Sequence, residues 1–113
     1  MGAHHLTRFA RVDFRSDERV FGIKDEDRLL HLYVIGKTGT GKSTLLENMA
    51  LQDLERGKGL ALIDPHGDLV ARIAARIPQS RRDDVIYLDA TDPSQPFYSY
   101  PLNLAKIVYQ RKL

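Results

Sequence analysis

Gly36-Lys37-Thr38-Gly39-Thr40-Gly41-Lys42-Ser43-Thr44 fits the pattern G-x-x-x-x-G-K-[ST] at every fixed position, and its flanks supply a strand-loop-helix context. Leu32-Tyr33-Val34-Ile35 before it is a short apolar run with β-branched and aromatic members. Leu45, Leu46, Met49, Ala50 and Leu54 after it recur at helical spacing. The residue types answer to one chemistry. Gly36, Gly39 and Gly41 permit backbone conformations closed to other residues, so successive N–H groups from Gly39 to Thr44 can point at phosphate oxygens. Lys42 supplies a point charge to the β- and γ-phosphates, the Ser43 hydroxyl is a ligand for Mg²⁺, Thr44 supports the α-phosphate side, and the helix start adds partial positive charge. Lys37, Thr38 and Thr40 fill the variable positions of the same nucleotide-holding segment. A glycine-rich turn that matches by chance is the competing reading, and the flanking strand and helix weigh against it.

Composition bounds what surrounds the loop. With 113 residues the chain can build one domain of modest size. A parallel sheet needs a crossover for every strand, so five strands with their helices call for roughly 150 to 200 residues, and a partial core is expected. Net charge is +2 with a pI near 9.0, too mild to establish a nucleic-acid partner. Cysteine is absent, which excludes disulfides, thiolate catalysis and zinc–thiolate sites and fits a reducing, cytoplasmic setting. The first residues lack an apolar signal core, and no run approaches about 18 apolar residues, so no membrane segment is expected in this sequence.

Residues 1–30 read as a β-hairpin and a charged linker, and residues 31–113 as the nucleotide-binding core. Ala10, Val12 and Phe14 alternate with Arg11 and Asp13; the polar turn Arg15–Arg19 leads to Val20-Phe21-Gly22-Ile23, and Lys24–Arg28 is a solvated link. The helix after the loop is expected over Lys42–Arg56, stopped at Gly57. Leu60-Ala61-Leu62-Ile63, apolar without alternation, predicts a strand buried on both faces of a parallel sheet. Leu69, Val70, Ile73, Ala74 and Ile77 predict a second helix ended by Pro78, and Val85-Ile86-Tyr87-Leu88 a third strand. The Asp92–Pro101 segment holds too many prolines for a central element, and Leu102–Tyr109 is expected to open another helix. The fold class is therefore α/β: a parallel sheet with flanking helices, incomplete, preceded by a hairpin.

His31–Gly36 running into the loop, then Asp64-Pro65-His66-Gly67-Asp68-Leu69, then Val85–Asp89 resemble the motor domain of the HerA/FtsK superfamily, closest to the ATPases of conjugation and type IV secretion. The resemblance covers residues 20 to 105, and the Asp-Pro-His-Gly-Asp segment is its most telling part. It implies a RecA-like P-loop NTPase fold, a homo-hexameric ring, ATP and Mg²⁺ at subunit interfaces, and DNA moved through the pore. Two departures stand out. Relatives carry an Asp-Glu pair after an apolar run on a later strand and a trans-acting arginine beyond it; no such pair occurs here. In Ser99-Tyr100-Pro101-Leu102, Tyr100 replaces an asparagine.

Asp64 ends a strand at the carboxyl edge of the sheet, where α/β folds bind ligands. Three roles are open to it: catalytic, magnesium-orienting acid; Asx-turn or helix cap before Pro65; and outer-shell partner near the γ-phosphate, shared with Asp68. His66 reads as a solvated turn residue. Arg81 and Arg82 suit a phosphate sensor or a DNA contact, but more simply a solvated loop offset by Asp83 and Asp84. Phe97, Tyr98 and Tyr100 suit base stacking, but more simply packing within their own domain. Asp64-Pro65-His66-Gly67 also fits the D-x-x-G of GTPases. The helix and its terminator fill the interval from Ser43 to Asp64, however, leaving no loop for a γ-phosphate-sensing threonine, and no Asn-Lys-x-Asp segment occurs. The remaining alternative is a module that binds ATP and a partner without hydrolysis.

Overall fold

The computed structural model describes residues 5–89 and the backbone of residues 106–110. The chain divides into two compact units, residues 1–52 and 53–113.

In the first unit, β1 (Leu6–Arg11) and β2 (Val20–Lys24) form an antiparallel hairpin in which Thr7 faces Ile23 and Arg8 faces Gly22. The register slips between Arg8 and Ala10, making Phe9 the extra residue of a bulge. Beyond the strands the Asp17 amide bonds the Phe14 carbonyl at 3.2 Å, and Arg15 turns the chain at φ +55°, its guanidinium 5.1 Å from the Phe14 ring centre. Asp17 accepts the Arg19 guanidinium at 2.8 Å and the Arg19 amide at 3.0 Å, which together hold its carboxyl below the ordinary range. α1 (Lys42–Glu55) follows the glycine-rich loop and buries Met49, Ala50 and Leu51. Gln52 ties this helix to the hairpin. Its Oε1 accepts the Arg8 amide at 2.9 Å and its Nε2 donates to the Arg8 carbonyl at 2.7 Å, as a neighbouring strand would. Thr7 is wholly buried, and its hydroxyl accepts Arg28 Nη1 at 2.9 Å.

The end of α1 belongs to the second unit and has a specific stop. The Lys58 amide reaches the Asp53 carbonyl at 2.9 Å, the Gly57 amide reaches Leu54 at 3.1 Å, and Gly57 sits at φ +71°. That is a Schellman motif. Arg81 Nη1 adds a bond to the same Leu54 carbonyl at 3.2 Å while its Nε donates to Asp84 Oδ2 at 3.2 Å. An alanine Cβ at position 57 would be strained in φ and 3.3 Å from Arg81 Nη1. Gly57→Ala should therefore cost about 1 kcal/mol, read as a lower urea midpoint; an unchanged midpoint would contradict the motif's role.

β3 (Leu60–Asp64), α2 (Asp68–Ala75), β4 (Val85–Leu88) and β5 (Lys106–Gln110) complete this unit. The sheet order is β3-β5-β4, with β5 antiparallel to both neighbours; Val108 pairs with Leu62 on one side and Tyr87 on the other. β3 and β4 thus run in the same direction without touching. α2 packs on β3 and β5, and Val70 and Ile73 are wholly buried, with Leu54 and Ile77 nearly so.

Four expectations require correction. Residues 31–37 hold neither strand nor helix, and Tyr33 and Ile35 are 85% and 79% exposed. A strand exists only through its partners, and none of the described strands pairs with this run. The described sheet is antiparallel rather than parallel, and β3 alternates half-buried Leu60 and Leu62 with exposed Ala61 and Ile63. One face lies under α2 and the other is open, the habit of an antiparallel sheet. Residues 106–110 form a strand where a helix was expected, because Ile107, Val108 and Tyr109 favour β structure and both flanking strands offer pairing. The hairpin begins earlier than its alternation suggests, at Leu6, with Phe14 left in the turn region. The Asp92–Pro101 segment, with Phe97, Tyr98 and Tyr100, lies outside the described residues.

Candidate functional site

The glycine-rich loop is built from one turn and one helix start. The Thr40 amide donates to the Lys37 carbonyl at 3.2 Å, closing the turn Lys37-Thr38-Gly39-Thr40 with Gly39 third at φ +82°. That position of a type II turn demands positive φ. Gly41 follows at φ +92°, and its carbonyl accepts the Leu45 amide at 2.9 Å, the first turn of α1. A Cβ on Gly39 or Gly41 would meet nothing within 4 Å. Glycine is required there for conformation, and the space over the loop stays clear for a ligand. The amides of Lys42, Ser43 and Thr44 have no acceptor within the helix, and its dipole favours negative charge at the same end.

Lys42 folds back over the loop, its Nζ donating to the carbonyls of Gly36 and Lys37, the latter at 3.0 Å. The Thr40 hydroxyl donates to that same Lys37 carbonyl at 2.6 Å. Lys37, Thr38, Ser43 and Thr44 are exposed. These residues fit a nucleotide phosphate. For Mg²⁺ the loop offers the exposed Ser43 hydroxyl. Among the described residues no group of three or more His, Asp or Glu side chains could hold a metal ion.

Asp64 belongs to the second unit, where it organises the β3–α2 turn. Its Oδ1 accepts the His66 amide at 3.1 Å, and its Oδ2 accepts Leu69 at 2.8 Å and Val70 at 3.2 Å. Burial is the largest single influence and would raise its pKa. The amides of Val70, Gly67, His66 and Leu69 together outweigh it and hold the carboxyl below its ordinary 3.8. Gly67, at φ +84°, lets the chain turn back into α2. This is the capping arrangement, one of the three roles open to Asp64 in the sequence, and both of its oxygens are engaged in it. His66 and Asp68 are exposed, Asp68 in the first turn of α2. Arg81 is held at the end of α1 and against Asp84, whereas Arg82 is exposed. The Thr40–Lys37 bond and the Arg81 cap could not be read from the sequence: the first lies at variable positions of the motif, and the second joins residues far apart in the chain.

No curated protein and no solved structure matches the chain. The family described as the central domain of the helicase HerA matches residues 25–106, a span that contains the loop, Asp64 and β4. Because that match takes in well over half of the chain, the protein belongs to the HerA central-domain family, and with it to the HerA/FtsK superfamily of P-loop ATPases.

Proposed function

We propose that the chain is the ATP-binding part of a DNA-translocating motor of the conjugation and type IV secretion kind, with residues 36–44 holding Mg-ATP. The loop's geometry supports this most: left-handed Gly39 and Gly41 open the backbone amides to an anion at the start of α1, with Lys42 beside them. Bound Mg²⁺ would neutralise phosphate charge. The chain's residues cradle the phosphates through amides, bring the Lys42 ammonium to the β- and γ-oxygens, and present the Ser43 hydroxyl. Lys42 is the catalytic residue in this reading, and Asp64 serves through the turn it holds rather than as a direct magnesium ligand. The complete motor would act as a cytoplasmic homo-hexamer on DNA. A second reading, ATP binding without turnover, is supported by the engagement of both Asp64 oxygens with backbone amides.

Calorimetric titration with Mg-ATP and Mg-GTP, followed by a phosphate-release assay with and without single- and double-stranded DNA, tests these readings. ATP should bind, GTP should not be preferred, and the isolated chain should turn over very slowly or not at all. A clear GTP preference would overturn the ATP assignment. Turnover of roughly 1 per second, lost in Asp64→Ala but not through unfolding, would make Asp64 the catalytic acid.

A further inference from the structure

We propose that Thr40 is a positioning residue for Lys42: its hydroxyl fixes the Lys37 carbonyl that holds the Lys42 ammonium ready for phosphate. The inference rests on the nucleotide-binding reading of the loop. The Lys37 carbonyl receives three donors: the Thr40 amide at 3.2 Å, the Thr40 hydroxyl at 2.6 Å and Lys42 Nζ at 3.0 Å. The hydroxyl bond is at the short end for O–H···O. A lysine side chain has four freely rotating bonds, and fixing it costs up to about 2 kcal/mol of rotamer entropy. A carbonyl pinned from its other side keeps the ammonium close to the loop before a ligand arrives, so less of that ordering falls on the binding step.

Gly36 carries the second half of the argument. The glycines at positive φ include Gly39, Gly41, Gly57 and Gly67, but not Gly36. Its backbone therefore tolerates a side chain. What excludes one is Thr40: a Cβ on Gly36 would fall 2.5 Å from Thr40 Oγ1, with Lys42 Cγ at 3.3 Å. The first glycine of the motif thus makes room for the threonine hydroxyl, and positions 36 and 40 are coupled through that atom.

Mg-ATP titrations on the whole chain test this, with Lys42→Ala as the reference for the nucleotide reading. Thr40→Val keeps the shape and removes the bond, and should weaken binding about fivefold, the equivalent of one ordinary hydrogen bond. Thr40→Ser should bind as wild type does. In the nucleotide-free chain, the ¹⁵N resonance of the Lys42 ammonium should be visible in wild type and Thr40→Ser and broadened by exchange in Thr40→Val. Gly36→Ala should bind poorly, and adding Thr40→Ala should improve it. If Lys42→Ala binds like wild type, the nucleotide reading fails and the proposal with it. If Lys42→Ala loses binding while Thr40→Val does not, or Thr40→Ser is as weak as Thr40→Val, or Gly36→Ala gains nothing from Thr40→Ala, the proposal alone is overturned.

Discussion

Lys42→Ala should weaken Mg-ATP binding by roughly 10²- to 10⁴-fold, with little change in the stability of the fold. Charge-assisted hydrogen bonds contribute roughly 1.5–3 kcal/mol each, and the ammonium is placed to make two of them, to the β- and γ-phosphates. The ammonium donates to the Gly36 and Lys37 carbonyls, which are exposed and can turn to water when the side chain is removed. Folding therefore loses little while binding loses both contacts. Isothermal titration of wild type and variant, alongside thermal melts, separates the two effects. Equal affinities would remove the loop from the site altogether.

Asp64→Ala has the larger consequence for folding. It strips the acceptors from the amides of His66, Leu69 and Val70, and Val70 is wholly buried, so at least one donor is left without water or protein to meet it. Stability should fall by roughly 3 kcal/mol, a large share of the about 5–15 kcal/mol typical of a domain. Asp64→Asn keeps one acceptor oxygen and should lose less. The same carboxylate gives stability a pH dependence of definite sign. Its folded pKa lies below 3.8, so the stabilisation is present in full above the unfolded value and is lost as pH falls through the folded one. Urea midpoints of the wild type should thus drop as the medium is taken below about pH 4, and this acid step should be missing in Asp64→Asn. A wild type and Asp64→Asn with parallel pH profiles would show that the turn does not depend on the charge.

The elements legible in the sequence are those whose cause is local. α1 and α2 follow from apolar spacing, the end of α1 from Gly57, β3 and β4 from short apolar runs, and the loop from Gly39 and Gly41, whose φ values only glycine adopts easily, whereas Gly36 lies outside that region, contrary to expectation. What escaped depends on a second segment. Leu32–Ile35 has the composition of a strand, but composition cannot supply the neighbour that pairs with it. β5 was missed for the converse reason, since its place between β3 and β4 is set by residues more than fifteen positions away. The Gln52 clasp on Arg8 joins positions 44 apart and carries no pattern. At Asp64 the sequence narrowed the role to three, and the cap it makes depends on the direction of backbone amides, which the sequence does not show.

Leu29, Leu30, Leu32, Tyr33 and Ile35, more than half exposed, lie in one continuous stretch just before the loop, and it contains no proline or glycine. Such a segment, apolar, rich in β-favouring residues and without Lys, Arg, Asp or Glu, is the kind that stacks with copies of itself. Self-association through this stretch would draw on a different part of the chain from the one that meets phosphate. These five side chains are one source of self-association in concentrated solution, and a charged replacement at Tyr33, outside the loop, is expected to improve solubility without altering the ligand's cradle.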